Sequence, residues 1–170
     1  MQSPVEGTRA LSSSGEAGRV DIARLIPFLL VHLASLGVFL IPFEAWYVGL
    51  AVGLYYLRMF GVTAGYHRYF AHRSYKTSRV FQFLLAWLAV SSAQKGVLWW
   101  VAHHRTHHRY AYQPEDIHSP VQRGLWRAHV GWIFEARNGA TNLARVADLA
   151  RFPELRWLER WDFLPPVTLA

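Results

Sequence analysis

The sequence contains no cysteine. This excludes disulfides, thiolate zinc sites and thiolate-held iron–sulfur clusters. Any metal must therefore be held by imidazole, carboxylate or amide groups. Lysine is nearly absent too, with only Lys76 and Lys95 among 18 basic residues. Charge of either sign is sparse, at 17% of the 170 residues, where soluble domains carry roughly 25%. No GxGxxG, P-loop or GxSxG motif occurs, and nothing matches a DNA- or RNA-binding motif. What is present is apolar: 52% hydrophobic residues, 15% aromatic, with eight Trp. That balance points to a membrane protein. The net charge of +7 is not gathered in one stripe. It suits Arg at a lipid headgroup surface better than a nucleic-acid face, and no nucleic-acid partner is expected.

The chain opens with a tail rich in Ser, Gly and charge, expected to be disordered and cytoplasmic over residues 1–24. It is too long and polar for the start of a signal peptide. From Leu25 to Leu57 the only formal charge is Glu44, and Pro42-Phe43-Glu44 breaks the run in two. A spanning helix needs roughly 17–25 apolar residues, so spans are expected at about 25–42 and about 45–65, with Arg58 snorkelling to the interface. Arg9, Arg19 and Arg24 precede the hairpin, and Arg68, Arg73, Lys76 and Arg79 follow it. By the positive-inside rule both ends face the cytoplasm. The next apolar run, Val80–Ala93, is too short to cross and is expected as an interfacial helix at about 80–94. Trp87, Trp99 and Trp100 suit the headgroup level. Residues 112–123 read as loop, and helices are expected over Leu125–Glu135 and Thr141–Ala150. Residues 25–170 are thus one membrane domain.

Eight of the nine histidines fall between His67 and His129. His67 and His72 flank Arg-Tyr-Phe-Ala at the end of the second span. His104-Arg-Thr-His107-His108, preceded by His103, follows the interfacial helix. An α-helix turns about 100° per residue, so positions 104, 107 and 108 share a face. Positions 67 and 72 lie roughly 140° apart on an ideal helix, and both can ligate only if that helix ends or is distorted between them. Imidazole suits Zn, Cu, Fe and Ni. Five histidines exceed the needs of one four-coordinate zinc, so two metals fit better. His32 reads as a packed or hydrogen-bonded residue of the first span. Isolated His118 and His129 read as solvated. Soluble di-iron bundles use two Glu-x-x-His motifs, and here Glu115-Asp-Ile-His118 is the only match.

Gly65-Tyr-His-Arg-Tyr-Phe-Ala-His-Arg-Ser-Tyr-Lys76 is similar to the first histidine box, HxxxxH, of membrane fatty acyl desaturases of the acyl-CoA Δ9 type. Trp100-Val-Ala-His-His-Arg-Thr-His-His108 resembles their second box, HxxHH. Asp116, His118, Ser119 and His129-Val-Gly-Trp132 resemble the segment that follows. The likeness runs from about residue 25 to 135. It implies an all-α integral-membrane fold: a transmembrane hairpin with cytoplasmic-face helices that carry a di-iron site. His67, His72, His104, His107 and His108 would hold two irons, with Asp116, His118 and His129 in support. Gln94 and Trp100 match positions lining the acyl tunnel. The implied reaction is O₂-dependent removal of two hydrogens from a fatty acyl chain in membrane lipid metabolism, with electrons from a ferredoxin or a cytochrome b5-type donor.

The pattern departs from the family in two places. The third box, another HxxHH, and the Asn-x-x-x-His are missing, so the chain is expected to be a truncated piece with little or no activity of its own. Ala102 stands where animal members carry the Arg of WARDH, which weakens the case for CoA as acyl carrier and leaves lipid or another thioester open. A membrane hydroxylase with the same boxes, a non-enzymatic histidine-rich metal-binding membrane protein and an inert remnant are the alternative readings. The excess of Arg over Lys leans toward a GC-rich bacterial gene, and hence the cytoplasmic membrane.

Overall fold

The computed structural model describes residues 19–169, which divide into two compact units. Of the tail expected over 1–24, residues 1–18 lie outside the described residues, and Ile22 already begins a helix. Every regular element among the described residues is helical, apart from one isolated bridge between Val20 and Glu135.

The first unit holds residues up to 40 and His118–Ala140. Its long element is α1 (Ile22–Ser35), prolonged by a 3-10 turn to Leu40. Pro27 sits in the second turn of α1, where it forfeits its own N–H bond to the fourth residue back. The helix expected over Leu125–Glu135 is cut short here: an α-helical turn spans Leu125–His129 and a 3-10 turn Gly131–Phe134. The backbone around Glu135 serves another partner. Asp21 N–H donates to the Phe134 carbonyl at 2.7 Å, and Ala136 N–H to the Arg19 carbonyl at 3.0 Å. The buried Glu135 carboxylate is gripped by Arg127 at 2.5 Å and Arg137 at 2.7 Å.

The second unit holds Ile41–Ile117 and Thr141 onward. Here α2 (Ala45–Phe60) runs without a break into eleven residues of π-helix, Gly61–Ala71. A helix stands where one was expected at about 80–94: α3 (Arg79–Val90), opened by Ser78, whose hydroxyl accepts from Phe81 N–H at 3.2 Å. The second box lies on α4 (Val97–Tyr110). Short turns at Leu143–Val146 and Ala147–Ala150 occupy the place of the expected helix over Thr141–Ala150. They lead into α5 (Pro153–Arg160), and Leu164–Thr168 closes the unit.

Two helices, Ile22–Leu40 and Ala45–Ala71, are long and apolar enough to cross a membrane. No residue of α1 or α2 is buried, so side chains such as Phe39, Trp46, Tyr55 and Tyr56 face outward. Contiguous apolar surface on this scale calls for lipid or protein cover. By contrast α3 buries Gln82, Leu85, Ala86, Ala89 and Val90, an i, i+3, i+4 stripe that defines one inward face. It meets the π segment, α4 and α5 around Tyr66, Phe70, Leu98, Val101, Leu155 and Leu158, each fully buried. Truncating one of these leucines to Ala would cost roughly 2–5 kcal/mol. Trp99 lies in this interior at 4% exposure, because the first turn of α4 is walled in by α5.

Candidate metal centre

The five-residue spacing of the first box meets a backbone made for it. In a π-helix the bonds run from i to i+5, stacking each residue over the fifth one on. His72 N–H donates to the His67 carbonyl at 3.0 Å. The two imidazoles, which an α-helix would splay, therefore sit together with ring centroids 4.4 Å apart. Two glycines let this segment approach α3. A Cβ on Gly61 would fall 2.9 Å from the backbone of Leu88 and Ala89, and one on Gly65 would fall 3.2 Å from the Leu85 carbonyl oxygen.

The second box is set by the start of α4. Gly96 is the N-cap and offers no side-chain cap, so the first N–H groups need another acceptor. Glu159, from α5, supplies it. Its carboxylate accepts from Leu98 N–H at 2.9 Å, Trp99 N–H at 3.0 Å and the Thr141 hydroxyl at 2.6 Å. A Cβ at residue 96 would land on that carboxylate, which is why glycine stands there. Tyr66 hydroxyl donates to the Lys95 carbonyl, fixing the entry to α4 against the π segment.

His104 and His108 then complete a four-imidazole cluster with His67 and His72. One ring nitrogen from each lies within 4.8 Å of the others. Ring centroids are 4.5 Å apart for His104–His108 and 4.7 Å for His72–His108. His104 Nε2 is buried without a hydrogen-bond partner. A buried unpaired nitrogen is costly, and a metal ion is the partner that an all-imidazole neighbourhood can accept. Burial, followed by the charges of His108, His67, His72 and His107, pushes His104 down to about 3. Desolvation and then His67, His108 and Arg105 lower His72 as well. Both shifts favour the neutral ring, the form that ligates metal. The donor set fits a transition metal.

The remaining candidates are placed differently. His107 is not in the cluster of four. Its Nδ1–H donates to both oxygens of the buried Asp116 carboxylate at 3.0 Å. Position 107 is about 60° from His104 on one side of the helix and His108 about 40° on the other, so the two neighbours part. The bond to Asp116 fixes the tautomer, as carboxylates do behind metal-bound histidines. His103 Nδ1–H donates back to the Trp99 carbonyl at 2.9 Å. Trp100 lies stacked between Tyr66, 4.9 Å away, and His104, 4.5 Å away. Its indole N–H donates to Gln94 Oε1 at 3.2 Å. His118 belongs to the first unit, stacked on Trp132 at 4.9 Å, and His129 is exposed. His32 Nδ1–H donates to the Phe28 carbonyl at 2.7 Å. Glu159 carried no local signal, since it caps amides 60 and 61 residues away. Gly61-x-x-x-Gly65 did carry one, the small-residue pair of close helix packing.

Two helices of membrane-crossing length and a histidine cluster at the end of one of them define a class: helical proteins with imidazoles gathered where a long apolar helix ends. The sequence comparisons give the family. Residues 44–168 match the family model for fatty acid desaturase, and the chain belongs to that family. A probable acyl-CoA desaturase of Schizosaccharomyces pombe is 34% identical over 142 residues, covering 83% of this chain and 29% of the relative. A palmitoyl-monogalactosyldiacylglycerol delta-7 desaturase of Arabidopsis thaliana is 33% identical over 159 residues, 89% of this chain and 41% of the relative. A hex-5-enoyl acyl-carrier-protein acetylenase of Moorena producens is 45% identical over 103 residues, 54% of this chain and 32% of the relative. The chain spans less than half the length of these curated relatives.

Proposed function

We propose that this chain is the part of a membrane fatty acyl desaturase that supplies its first iron ligands. His67, His72, His104 and His108 would hold metal directly. His107, oriented by Asp116, would serve a second ion whose remaining ligands lie outside these residues. The observation that carries this reading is the convergence of four imidazoles from both boxes, with the His104 nitrogen buried and unpaired. When bound, iron would activate O₂ for removal of hydrogens from an unactivated methylene pair, chemistry that side chains alone do not provide.

The chain's own residues bind, orient and exclude. Trp100, pinned by Tyr66 and Gln94, presents a flat apolar wall beside His104. A groove lined by Leu54, Tyr55, Met59, Val62 and Gln94, with Arg58 among them, offers a mostly apolar bed for an acyl chain. The relatives' names mention three carriers: CoA, acyl-carrier protein and a galactolipid. Ala102 stands where animal members carry a CoA-binding Arg, which leaves the carrier open between CoA, a lipid and another thioester. Electrons would come from a ferredoxin or cytochrome b5-type protein.

The test is to express the complete gene product in a host without the matching desaturase and to analyse its fatty acids. A new unsaturated species is expected, and it should vanish with His104→Ala while the protein still accumulates in membranes. A hydroxylated product, or an unchanged profile with full protein level and loaded iron, would refute the assignment.

A further inference from the structure

Arg105 sits inside the second box, yet it is not a ligand. One residue beyond His104, it points about 100° away from it, toward the end of the π segment. Its guanidinium is fully engaged. Nη2 donates to the Phe70 carbonyl at 2.9 Å and Nε to the Ala71 carbonyl at 3.3 Å. Nη1 and Nη2 form a two-pronged bond to Asp148 at 2.8 and 3.1 Å, and Nη1 also reaches the Arg145 carbonyl at 3.2 Å. The two carbonyls of the π segment are the ones its own backbone leaves over. Those of Arg68 and Tyr69 are already taken by Ser74 and Arg73 N–H, and the final carbonyls of any helix lack intrahelical donors. Ala71 immediately precedes His72, and His104 immediately precedes Arg105. One planar cation thus ties together the peptide units adjacent to a ligand from each box. Asp148 braces it from behind and is itself held by Arg73 at 2.5 Å.

We infer that Arg105 is the positioning residue that sets the separation of the two histidine boxes, with Asp148 as its brace. The inference rests on the reading of the four histidines as metal ligands. Lysine cannot replace Arg105, because an ammonium lacks the planar fork that serves two carbonyls and a carboxylate together. Groups that orient ligands from behind typically change metal affinity by about 10–100-fold when removed. Arg105 acts on backbone next to the ligands, so the lower end of that range, about tenfold, is expected.

Co(II) serves as the probe, titrated into the detergent-solubilised chain and followed by its visible absorption. Arg105→Gln and Arg105→Lys should weaken Co(II) binding about tenfold and alter the band shape, and Asp148→Asn should do so in the same direction but less. Arg79→Gln is the control. It removes another two-pronged pair, to Glu154 at 2.7 Å, that links α3 to α5 rather than the boxes, and it should leave affinity and spectrum unchanged. Wild-type affinity and band shape in both Arg105 variants would overturn the inference, as would an equal loss in the control. Should Arg105→Gln fail to fold, Arg105→Lys and Asp148→Asn decide on the same terms. If the wild-type chain gives no histidine-dependent Co(II) spectrum, with His67→Ala indistinguishable from it, the metal reading fails and this inference with it.

Discussion

Glu159 shows how a single side chain sets the second box without touching it. Its carboxylate is the acceptor for the first amides of α4, and it is largely withdrawn from water. Burial raises its pKa above the ordinary value of 4.5, outweighing the hydrogen bonds from Thr141, Trp99 and Leu98 that pull it down, with Asp162 adding a further small rise. A raised folded pKa means that the folded protein holds this proton more tightly than the unfolded chain. The contribution is fully present below 4.5 and is lost as pH rises through the folded value. Glu159→Gln should therefore gain stability relative to wild type between pH 4.5 and neutrality. Thermal unfolding in detergent at the two pH values checks this, and a melting-temperature difference that stays constant or shrinks would contradict it. The sequence placed the histidines but not this residue. Imidazoles cluster in the sequence because their helix brings them close, whereas a cap supplied from sixty residues away leaves no local trace.

At the scale of elements, the decisive contact is between the π segment and α3. Gly61 and Gly65 permit backbone-to-backbone approach, and at Gly61 the atoms met by a Cβ belong wholly to the main chain of Leu88 and Ala89. Main chain cannot swing aside as a side chain can. Gly61→Ala should cost about 1–3 kcal/mol, as overpacking of a close-packed interior does. Unfolding in detergent should show a lower midpoint for Gly61→Ala and a near-neutral effect for Gly53→Ala, where a Cβ meets nothing within 4 Å. Equal midpoints for the two variants would rule out the close crossing. Helix existence was legible from the apolar runs, and the distortion demanded between His67 and His72 follows from geometry alone. Its form was not legible, because nothing in Arg-Tyr-Phe-Ala distinguishes a widened helix from one that simply stops. The early end of the helix expected over Leu125–Glu135 was likewise invisible, since the Phe134 carbonyl and the Ala136 amide are taken by Asp21 and Arg19 from the far end of the sequence.

For the whole molecule, the outward apolar surface of α1 and α2 is the dominant fact. Transfer of apolar area from water is worth roughly 25 cal/mol per Å², so covering two such helices with lipid is strongly favourable. Membranes washed in alkaline carbonate should retain the chain in the pellet, and its appearance in the supernatant would refute insertion. Composition made this much readable at once, whereas the two-unit division was not, because the piece that joins α1 comes from beyond the second box. The π segment has one more consequence. An α-helix advances its azimuth by about 100° per residue, and a backbone closed from i to i+5 advances by less. Over Gly61–Ala71 the deficit accumulates, so the direction of the imidazoles is rotated away from the one that α2 alone would dictate. Deleting one residue between His67 and His72 would leave His67 in phase with α2 and turn His72, with all that follows it, about the helix axis. The spacing of that box is in effect an angular setting between an apolar rod and the imidazoles at its tip.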